Sequence, residues 1–386
     1  MDCIKEVEGI KKYMIDMRRY FHQYPEASNE EFQTAKSIQK ELDDMEIPWK
    51  IIANTGIIAT IGKGEKVIAL RADMDALKIY EKTDVPYKSK QEGLMHACGH
   101  DGHMAILLGV AKVLKKYEDT LNCVVKLIFQ PAEENVSGAK VVIREGGLEG
   151  VEEIFGLHLF TDIPCGQVSL EEGPRMASTN QVTITIHGIS GHAGKPHQSV
   201  DATLVAAHIL INIQSIVSRF TDPIDSVAVS FGMLHSGTLR NVISNKAVLE
   251  GTVRTFNKEK AVEVGKQIEQ IATSIANAYG ASVDVAYEMC AHPAVINDKE
   301  VVEKALIGAK KVLPEETFVC IPKMMLGEDF SWYMEQVKGA FAFVGAGNDK
   351  IQCSYPNHHD KFNLDERCLE IGALLHLSYV LENSNK

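Results

Sequence analysis

The sequence predicts an α/β protein with a mixed, largely parallel sheet covered by helices, and a smaller α+β module inserted into it. From Val67 onward, short continuous apolar runs alternate with helical segments, which indicates parallel strands buried on both faces. Between residues 179 and 290 the order changes to β-α-β-β-α-β, which is typical of a ferredoxin-like module. At 386 residues the chain is long enough for two compact units.

Two helical patterns open the chain, at about 4–21 and 30–45, and Ser28 and Asn29 are candidate caps of the second. A glycine-punctuated hairpin follows at 51–64. The alternating elements that come next are strand VIALRADMD, helix 103–117, strand VVKLIFQPAEE, helix 139–145 and strand EEIFGLHLF. This alternation predicts the parallel part of the sheet.

The middle of the chain has strands with period-two alternation. The elements predicted there are strand QVTITIHGI, helix 201–220, strands SVAVSFGML and AVLEGTVRTF, helix 258–279 and strand SVDVAYEM. After Pro293 the α/β pattern resumes with helix 299–312, strand FAFVGAG and helix 364–382. We therefore expect one domain from residues 1–178 and 291–386, and an inserted module at 179–290.

Composition excludes several classes of protein. The formal net charge is −12, and because a negative surface repels phosphate backbones we expect no nucleic-acid partner. We expect no membrane partner either, nor any apolar run that approaches the roughly 20 residues that span a bilayer. The N-terminus lacks the apolar core of a signal peptide, which predicts a cytoplasmic location. The eight cysteines form no CxxC pair, as expected of reduced thiols.

Polar side chains follow three of the predicted strands. Asp73 and Asp75 follow the first strand, Glu133 and Glu134 the second, and His158 the third. Ligands in open α/β sheets bind outside the carboxyl ends of the strands. These clusters therefore lie where a functional site is expected.

Candidate metal ligands occur in two loops as well. MHACGHDGHM carries Cys98 and His100 just before a predicted helix, and YPNHHDKF carries His358 and His359, either of which could be a ligand. Thiolate, imidazole and carboxylate together suit a transition metal. Each residue alone is more often a buried cysteine, a core histidine or a solvated glutamate. Their joint occurrence around one sheet favours metal binding.

The two adjacent glutamates suggest a reaction. Neighbouring side chains on an extended chain point to opposite faces, so Glu133 and Glu134 should have different roles. If one binds metal, the other can take a proton from water and pass it to a leaving nitrogen, which suits amide hydrolysis. The spacing leaves open which glutamate has which role.

Seven segments carry a resemblance to a known family: RRYFHQYPE, RADMDAL, MHACGHDGH, FQPAEE, GLH, GHAGKPH and HHDKF. In this order and along the whole chain, they resemble the M20 metallopeptidase family in its amidohydrolase subgroup. That subgroup includes aminoacylases, hippurate hydrolases, auxin-conjugate hydrolases and N-acetyldiaminopimelate deacetylases. The resemblance implies a zinc-peptidase-like catalytic domain that hydrolyses the amide bond of small N-acyl amino acids.

The resemblance also assigns roles within that domain. Glu133 matches the catalytic base, and Asp75 matches a carboxylate that orients the site from behind. His103 is expected to support the site or pack the helix rather than to be a sixth ligand. The implied cofactor is a pair of divalent ions per subunit, of zinc, manganese, nickel or cobalt. The residues that match the family's metal ligands are Cys98, His100, Glu134, His158 and His358.

On the inserted module, His192 matches a histidine that in many family members enters the partner subunit's site and stabilises the oxyanion. Asn241 and Arg254 resemble residues that grip the substrate carboxylate, as the fork of an arginine can. Each of the three could instead be a turn or surface residue. The resemblance implies a lid and dimerisation module, and hence a homodimer or higher homo-oligomer.

The sequence departs from the family pattern at three positions. Asp360 replaces a proline in the last histidine motif, Lys78 replaces a proline after RADMDAL, and Leu326 replaces a glycine before GEDF. None of these changes removes a proposed ligand. Two alternatives to an aminoacylase are therefore kept: a dipeptidase or N-acetyldiaminopimelate deacetylase with the same site, and a metal-binding or carboxylate-binding protein without turnover.

Overall fold

A computed structural model describes residues 1–384, apart from the side chain of Cys290. The described residues form two compact units. Unit 1 comprises Met1–Gly173, Ile296–Pro322 and the chain from Asp329 onward, and unit 2 comprises Pro174–Val295 and Lys323–Glu328. The predicted module at 179–290 falls within Pro174–Val295, and Lys323–Glu328 lies outside its predicted bounds.

The elements are numbered in chain order over the described residues. The strands are β1 (Trp49–Ile52), β2 (Gly56–Ile61), β3 (Lys66–Asp73), β4 (Cys123–Gln130), β5 (Glu153–Pro164), β6 (Val168–Ser169), β7 (Gly173–Met176), β8 (Ser178–His187), β9 (Gly191–His192), β10 (Val227–Ser236), β11 (Val242–Ile243), β12 (Lys246–Thr255), β13 (Ser282–His292), β14 (Val295–Asn297) and β15 (Lys338–Gly347). The α-helices are α1 (Cys3–Gln23), α2 (Phe32–Asp44), α3 (His100–Lys116), α4 (Gly138–Arg144), α5 (Ala202–Ser215), α6 (Lys258–Ala278), α7 (Lys299–Ala309), α8 (Ser331–Met334) and α9 (Cys368–Ser384).

Unit 1 is built on a seven-stranded sheet with the order β1-β2-β4-β3-β5-β15-β6. The central strands β4, β3, β5 and β15 run parallel, and the outer strands pair antiparallel. Ile68, Ala69 and Leu70 of β3 are all buried, as expected of a strand covered on both faces. The predicted α/β fold with a largely parallel sheet is confirmed.

Helix α3 lies at the centre of unit 1 and is buried along most of its length. It packs against α1 and α9. The close approach of α1 needs a glycine, because a Cβ on Gly109 would lie 2.7 Å from Cγ of Met14. The middle of α3 therefore packs closely on α1 at this point.

Unit 2 contains a four-stranded antiparallel sheet with the order β10-β12-β8-β13. In sequence its elements follow the β-α-β-β-α-β order expected of a ferredoxin-like module. Val182, Ile184 and Ile186 of β8 are buried in a core shared with α5 and α6. The alternate residues Thr183 and Thr185 are half-buried on the other face, which explains the period-two pattern.

Helix α5 and its continuation carry more apolar residues than one buried face requires. Among the described residues, the stretch Ala202–Phe220 is long and apolar enough to cross a membrane by length and composition alone. The expectation that no apolar run approaches this length is therefore wrong. Val205, Ile209 and Ile213 are buried in the core of unit 2, but only 28% of the stretch is buried.

A buried ion pair ties α1 to α3 in unit 1. Nε of Arg18 lies 2.8 Å from Oδ2 of Asp101, and both side chains are fully buried. His22 Nδ1 lies 2.8 Å from the same carboxylate. Burial alone would lower the pKa of Arg18 and raise that of Asp101, but their mutual attraction shifts each pKa the opposite way.

We expect Arg18→Met to lower the free energy of unfolding by roughly 3–5 kcal/mol, because it removes the guanidinium that pairs with the buried Asp101 carboxylate and leaves only His22 beside that charge. The neighbouring Arg19→Met is the control, since Arg19 binds Glu366 from a side chain that is 44% exposed, and its loss should cost about 0–1 kcal/mol. Urea unfolding of both variants measures the difference. Equal destabilisation would contradict the assignment.

Candidate metal centre

The carboxylate of Asp75, just beyond β3, organises the candidate site. Its Oδ1 accepts the amide of Glu133 at 3.1 Å, and its Oδ2 accepts the amide of Glu134 at 3.0 Å and the Ser28 hydroxyl at 2.6 Å. Burial alone raises the pKa of Asp75, but hydrogen bonds with His100, Ser28 and the Glu134 amide hold it below its ordinary value. An ionised carboxylate therefore fixes the backbone of both glutamates.

Glu133 and Glu134 lie in a turn, because β4 ends at Gln130. Ala132 has a positive φ of 56°, and its amide donates to Oε1 of Glu31 at 2.9 Å. Oxygens of both glutamates lie within 4.8 Å of one another and of a ring nitrogen of His100. The expectation that they point to opposite faces is wrong, since it assumed an extended chain.

Cys98 and His100 are placed by the start of α3. His100 is the first residue of that helix rather than a loop residue, and Gly99 before it has φ 93°. The ring of His100 makes its hydrogen bond through Nδ1, which lies 2.9 Å from the carbonyl oxygen of Asp75. Nε2 of His100 lies 3.6 Å from Oδ2 of Asp73 and 3.9 Å from Oε1 of Glu134.

His158 lies inside β5 rather than after its end. The strand continues to Pro164 because it keeps pairing with β15 beyond the last pair with β3. Nδ1 of His158 lies 3.0 Å from the carbonyl oxygen of Leu159, and Nε2 lies 3.4 Å from Sγ of Cys98. The ring thus uses one nitrogen for the backbone and directs the other at Cys98.

The C-terminal loop brings His358 to the same place. His358 has a positive φ of 68°, its amide donates to the Ala97 carbonyl at 2.7 Å, and its Nε2 lies 3.5 Å from Oε1 of Glu134. His359 instead stacks on Tyr355 with ring centroids 4.6 Å apart. Of the two histidines, the geometry favours His358 as the ligand.

Asp360, which replaces the family's proline, connects this loop to the segment after β3. Its carboxylate lies 2.5 Å from Nζ of Lys82, and its carbonyl accepts the Lys82 amide at 2.7 Å. The loop is therefore held by contacts with Lys82 where a proline would have restricted the backbone.

The predicted ligands form overlapping groups whose donor atoms lie within 4.8 Å of one another. These groups are Cys98 with His100 and His158, Cys98 with Glu134 and His358, and His100 with Glu133 and Glu134. Nε2 of His100 and Oε1 of Glu134 are buried without a hydrogen-bond partner among the described atoms. Because unsatisfied buried polar atoms are costly, this donor set fits a cation.

The pKa values of Cys98 and His358 are also consistent with a cation site. Burial and the negative charge of Glu134 raise the pKa of the Cys98 thiol. The neighbouring Cys98 thiol and Glu134 carboxylate raise the pKa of His358 to about 10. A cation that binds here would therefore release protons from these two groups.

Asp73, His100 and His103 form a further group of possible ligands. Nδ1 of His103 lies 2.6 Å from Oδ1 of Asp73, and its Nε2 accepts the amide of Leu159 at 3.0 Å. Both nitrogens therefore have partners within the protein. This favours a supporting role for His103.

The remaining predicted residues belong to unit 2. His192 is exposed in β9, which pairs with β11 through Val242, and the Asn241 carbonyl accepts the amide of Ala193 at 3.1 Å. His192 and Asn241 therefore lie on adjacent segments. Arg254 lies on β12, half-buried, and donates to Oγ1 of Thr179 at 2.9 Å.

The model of the peptidase family M20/M25/M40 matches residues 69–382 of the chain. The chain belongs to this family. The predicted membership of the M20 family is confirmed, and the matched residues include the whole centre from Cys98 to His358.

Known M20 relatives match over nearly the full length. The chain is 37% identical to thermostable carboxypeptidase 1 of Saccharolobus solfataricus, over 99% of this chain and 98% of that protein. It is 39% identical to N-acetyl-L-cysteine deacetylase of Bacillus subtilis, over 98% and 88%. The solved YXEP protein of Bacillus subtilis, a dinuclear metal-binding peptidase of the M20 family, is similar with a TM-score of 0.87 and 34% identity, covering 98% and 99%.

This M20 protein is accordingly a metal-dependent hydrolase of the amidohydrolase type. The alternative of a binding protein without turnover loses its support, because the named relatives are enzymes.

Sequence reasoning missed two residues that support the M20 centre. Ser28 was assigned to a helix cap, but α2 begins after Glu31 and the Ser28 hydroxyl donates to Asp75. Asn357 donates from its side chain to the carbonyls of Cys98 at 3.0 Å and Leu159 at 3.2 Å. Its position next to His358 was the one available signal.

Proposed function

We propose that this M20 enzyme hydrolyses the amide bond of N-acyl amino acids and releases a carboxylic acid and a free amino acid. The observation that carries the proposal is a pair of buried atoms that have no hydrogen-bond partner among the described residues, Nε2 of His100 and Oε1 of Glu134, beside the Cys98 thiol. The similarity to N-acetyl-L-cysteine deacetylase supports the substrate class.

Two divalent ions would be held by the two groups that contain Cys98. One group adds His100 and His158, and the other adds Glu134 and His358. Cys98 belongs to both groups, and its thiolate would therefore help to hold the ions. Bound ions lower the pKa of water and polarise the substrate carbonyl. Thiolate and imidazole favour zinc, nickel or cobalt, while the carboxylate also suits manganese.

The two glutamates divide the work in this proposal. Glu134 is the one grouped with Cys98 and His358, and so we assign it to the metal. Glu133 is the base that takes the proton of the attacking water and delivers it to the leaving nitrogen. Its Oε1 lies 3.4 Å from the Asp329 amide, which helps to orient it.

Asn241 and Arg254 would bind the carboxylate of the amino-acid part. Burial lowers the pKa of Arg254, and its hydrogen bond to Thr179 brings no negative charge. Within the described part of the chain, no carboxylate pairs with this guanidinium. A substrate carboxylate would supply the missing charge through two parallel hydrogen bonds.

Peptide cleavage is the second candidate, because a relative of 37% identity is named a carboxypeptidase. The same centre would then act on an aminoacyl rather than a simple acyl group, as a dipeptidase would. N-acetyldiaminopimelate is a further possible substrate. Rates with acetyl, benzoyl and aminoacyl groups on one leaving amino acid separate these possibilities.

We further propose a homodimer or higher homo-oligomer that forms through unit 2 in the cytoplasm. Strand β10 lies at one edge of its sheet, where backbone groups are available for pairing. Met233 and Leu234 of β10 and Leu204 and Ile211 of α5 are exposed. Apolar side chains beside an open strand edge support the binding of a second copy.

Glu133→Gln should keep its metal and lose about 10²–10⁴-fold in kcat, because the isosteric amide cannot take a proton. Glu134→Gln, on the neighbouring residue, should instead lose metal. Elemental analysis and the rate of amine release from N-acetyl amino acids measure both effects. Near wild-type turnover by Glu133→Gln would overturn the mechanism.

Arg254→Lys should raise KM for N-acetyl amino acids by about 10- to 100-fold, because it loses a charge-assisted bond worth about 1.5–3 kcal/mol. The matched control is the same amino acid with its carboxylate converted to a carboxamide, for which wild type and variant should agree. A KM that changes equally for both substrates would contradict the role.

His192→Ala should lower kcat by about 10²–10³-fold, as loss of an oxyanion donor does. When the His192→Ala and Glu133→Gln chains are co-expressed and mix at random, half of the dimers contain one chain of each kind. Each mixed dimer has one intact site of two, so about a quarter of wild-type activity should return. Each variant co-expressed with itself is the control. Absence of any recovery would show that His192 does not serve the partner.

A further inference from the structure

His103 stands where two strands of unit 1 separate. The ladder between β3 and β5 runs from Ile68–Glu153 to Arg71–Gly156. Beyond it, β3 continues to Asp73 and β5 continues through His158 and Leu159. The ring of His103 bridges this gap, because it contacts the Asp73 carboxylate at 2.6 Å and the Leu159 amide at 3.0 Å.

These two contacts select the tautomer of the neutral His103 ring. An amide N–H can only donate, so Nε2 accepts from Leu159 and carries no proton. In the neutral ring the proton then lies on Nδ1 and is donated to Asp73. No lone pair remains for a metal, although His103 lies one turn after His100 in α3.

The segment held by His103 is the one that carries His158. Leu159 directly follows His158, and its carbonyl lies 3.0 Å from Nδ1 of that ring. The rings of His103 and His158 also pack edge to face, with centroids 4.8 Å apart. A shift of the Leu159 peptide would therefore turn His158 away from Cys98.

Two glycines let α3 make this bridge. A Cβ on Gly102 would lie 2.6 Å from Cδ1 of Leu159. Gly99, just before α3, has φ 93°, a conformation that residues with a side chain rarely adopt. The first turn of α3 therefore lies directly on Leu159, which keeps the reach of the His103 ring short.

We propose that His103 is a positioning residue of the metal centre: it joins β3 to β5 beyond their last ladder pair and so aims His158 at the metal. The inference rests on the metal centre proposed above. Substitution of a residue that orients a metal ligand from behind typically weakens metal binding by about 10- to 100-fold.

Two substitutions separate the two bonds of His103. His103→Asn can still donate to Asp73 but cannot reach the Leu159 amide, and His103→Gln places an oxygen near the position of Nε2, where it can accept that amide. His376→Asn is the matched control, because His376 is also buried and packs on Phe155 of β5, with ring centroids 5.5 Å apart.

Cobalt titration of the metal-free full-length proteins, followed by visible absorption, is the measurement. We expect His103→Asn to bind Co²⁺ about 10- to 100-fold more weakly, His103→Gln to recover most of the affinity, and His376→Asn to match wild type. Wild-type affinity in His103→Asn, no recovery in His103→Gln, or an equal loss in His376→Asn would each overturn the inference.

Two further measurements complete the test. If Cys98→Ala binds Co²⁺ as tightly as wild type, the metal centre itself is overturned. If Cys98→Ala loses Co²⁺ binding while His103→Asn keeps wild-type affinity, only the role of His103 is overturned. If His103→Asn fails to fold, zinc-loaded wild type labelled with ¹⁵N-histidine decides. The His103 signal, assigned by its absence in His103→Gln, should show a proton on Nδ1, and a protonated Nε2 would refute the bridge.

Discussion

The centre depends on one buried carboxylate, that of Asp75. Without its bonds to the amides of Glu133 and Glu134, the turn after β4 would have no fixed position relative to β3. Asp75 also holds His100, through its carbonyl oxygen. One residue at the end of a parallel strand thus sets the positions of three of the groups that would meet water and metal, which is how a rigid scaffold supports a hydrolytic site.

The histidines of the centre share one design. His100 and His158 each direct Nδ1 at a backbone oxygen, and so Nε2 is the atom left for a metal. Backbone partners of this kind select the tautomer and the ring orientation together. His103 differs because Nε2 accepts an amide, and this explains why three histidines so close in space need not have the same role.

Two residues of the centre have an unfavourable backbone conformation. Ala132 and His358 both adopt positive φ, a conformation that is unfavourable for residues with a side chain. Each is held by a long-range hydrogen bond, to Glu31 and to the Ala97 carbonyl respectively. Such strain persists where the surroundings over-determine it, as they do at functional sites. The two hydrogen bonds keep Glu133, Glu134 and His358 in place before any metal binds.

The sequence by itself determined the order of elements, the parallel sheet and the kinds of residue at its carboxyl edge, because hydrophobic periodicity and short motifs are local properties. Tertiary structure decided how those residues are used. It distinguished His358 from His359, placed Glu133 and Glu134 in a turn, extended β5 past His158 and gave His103 its two partners. Asn357 contacts Cys98 from 259 positions away, and no local pattern encodes a contact of that range.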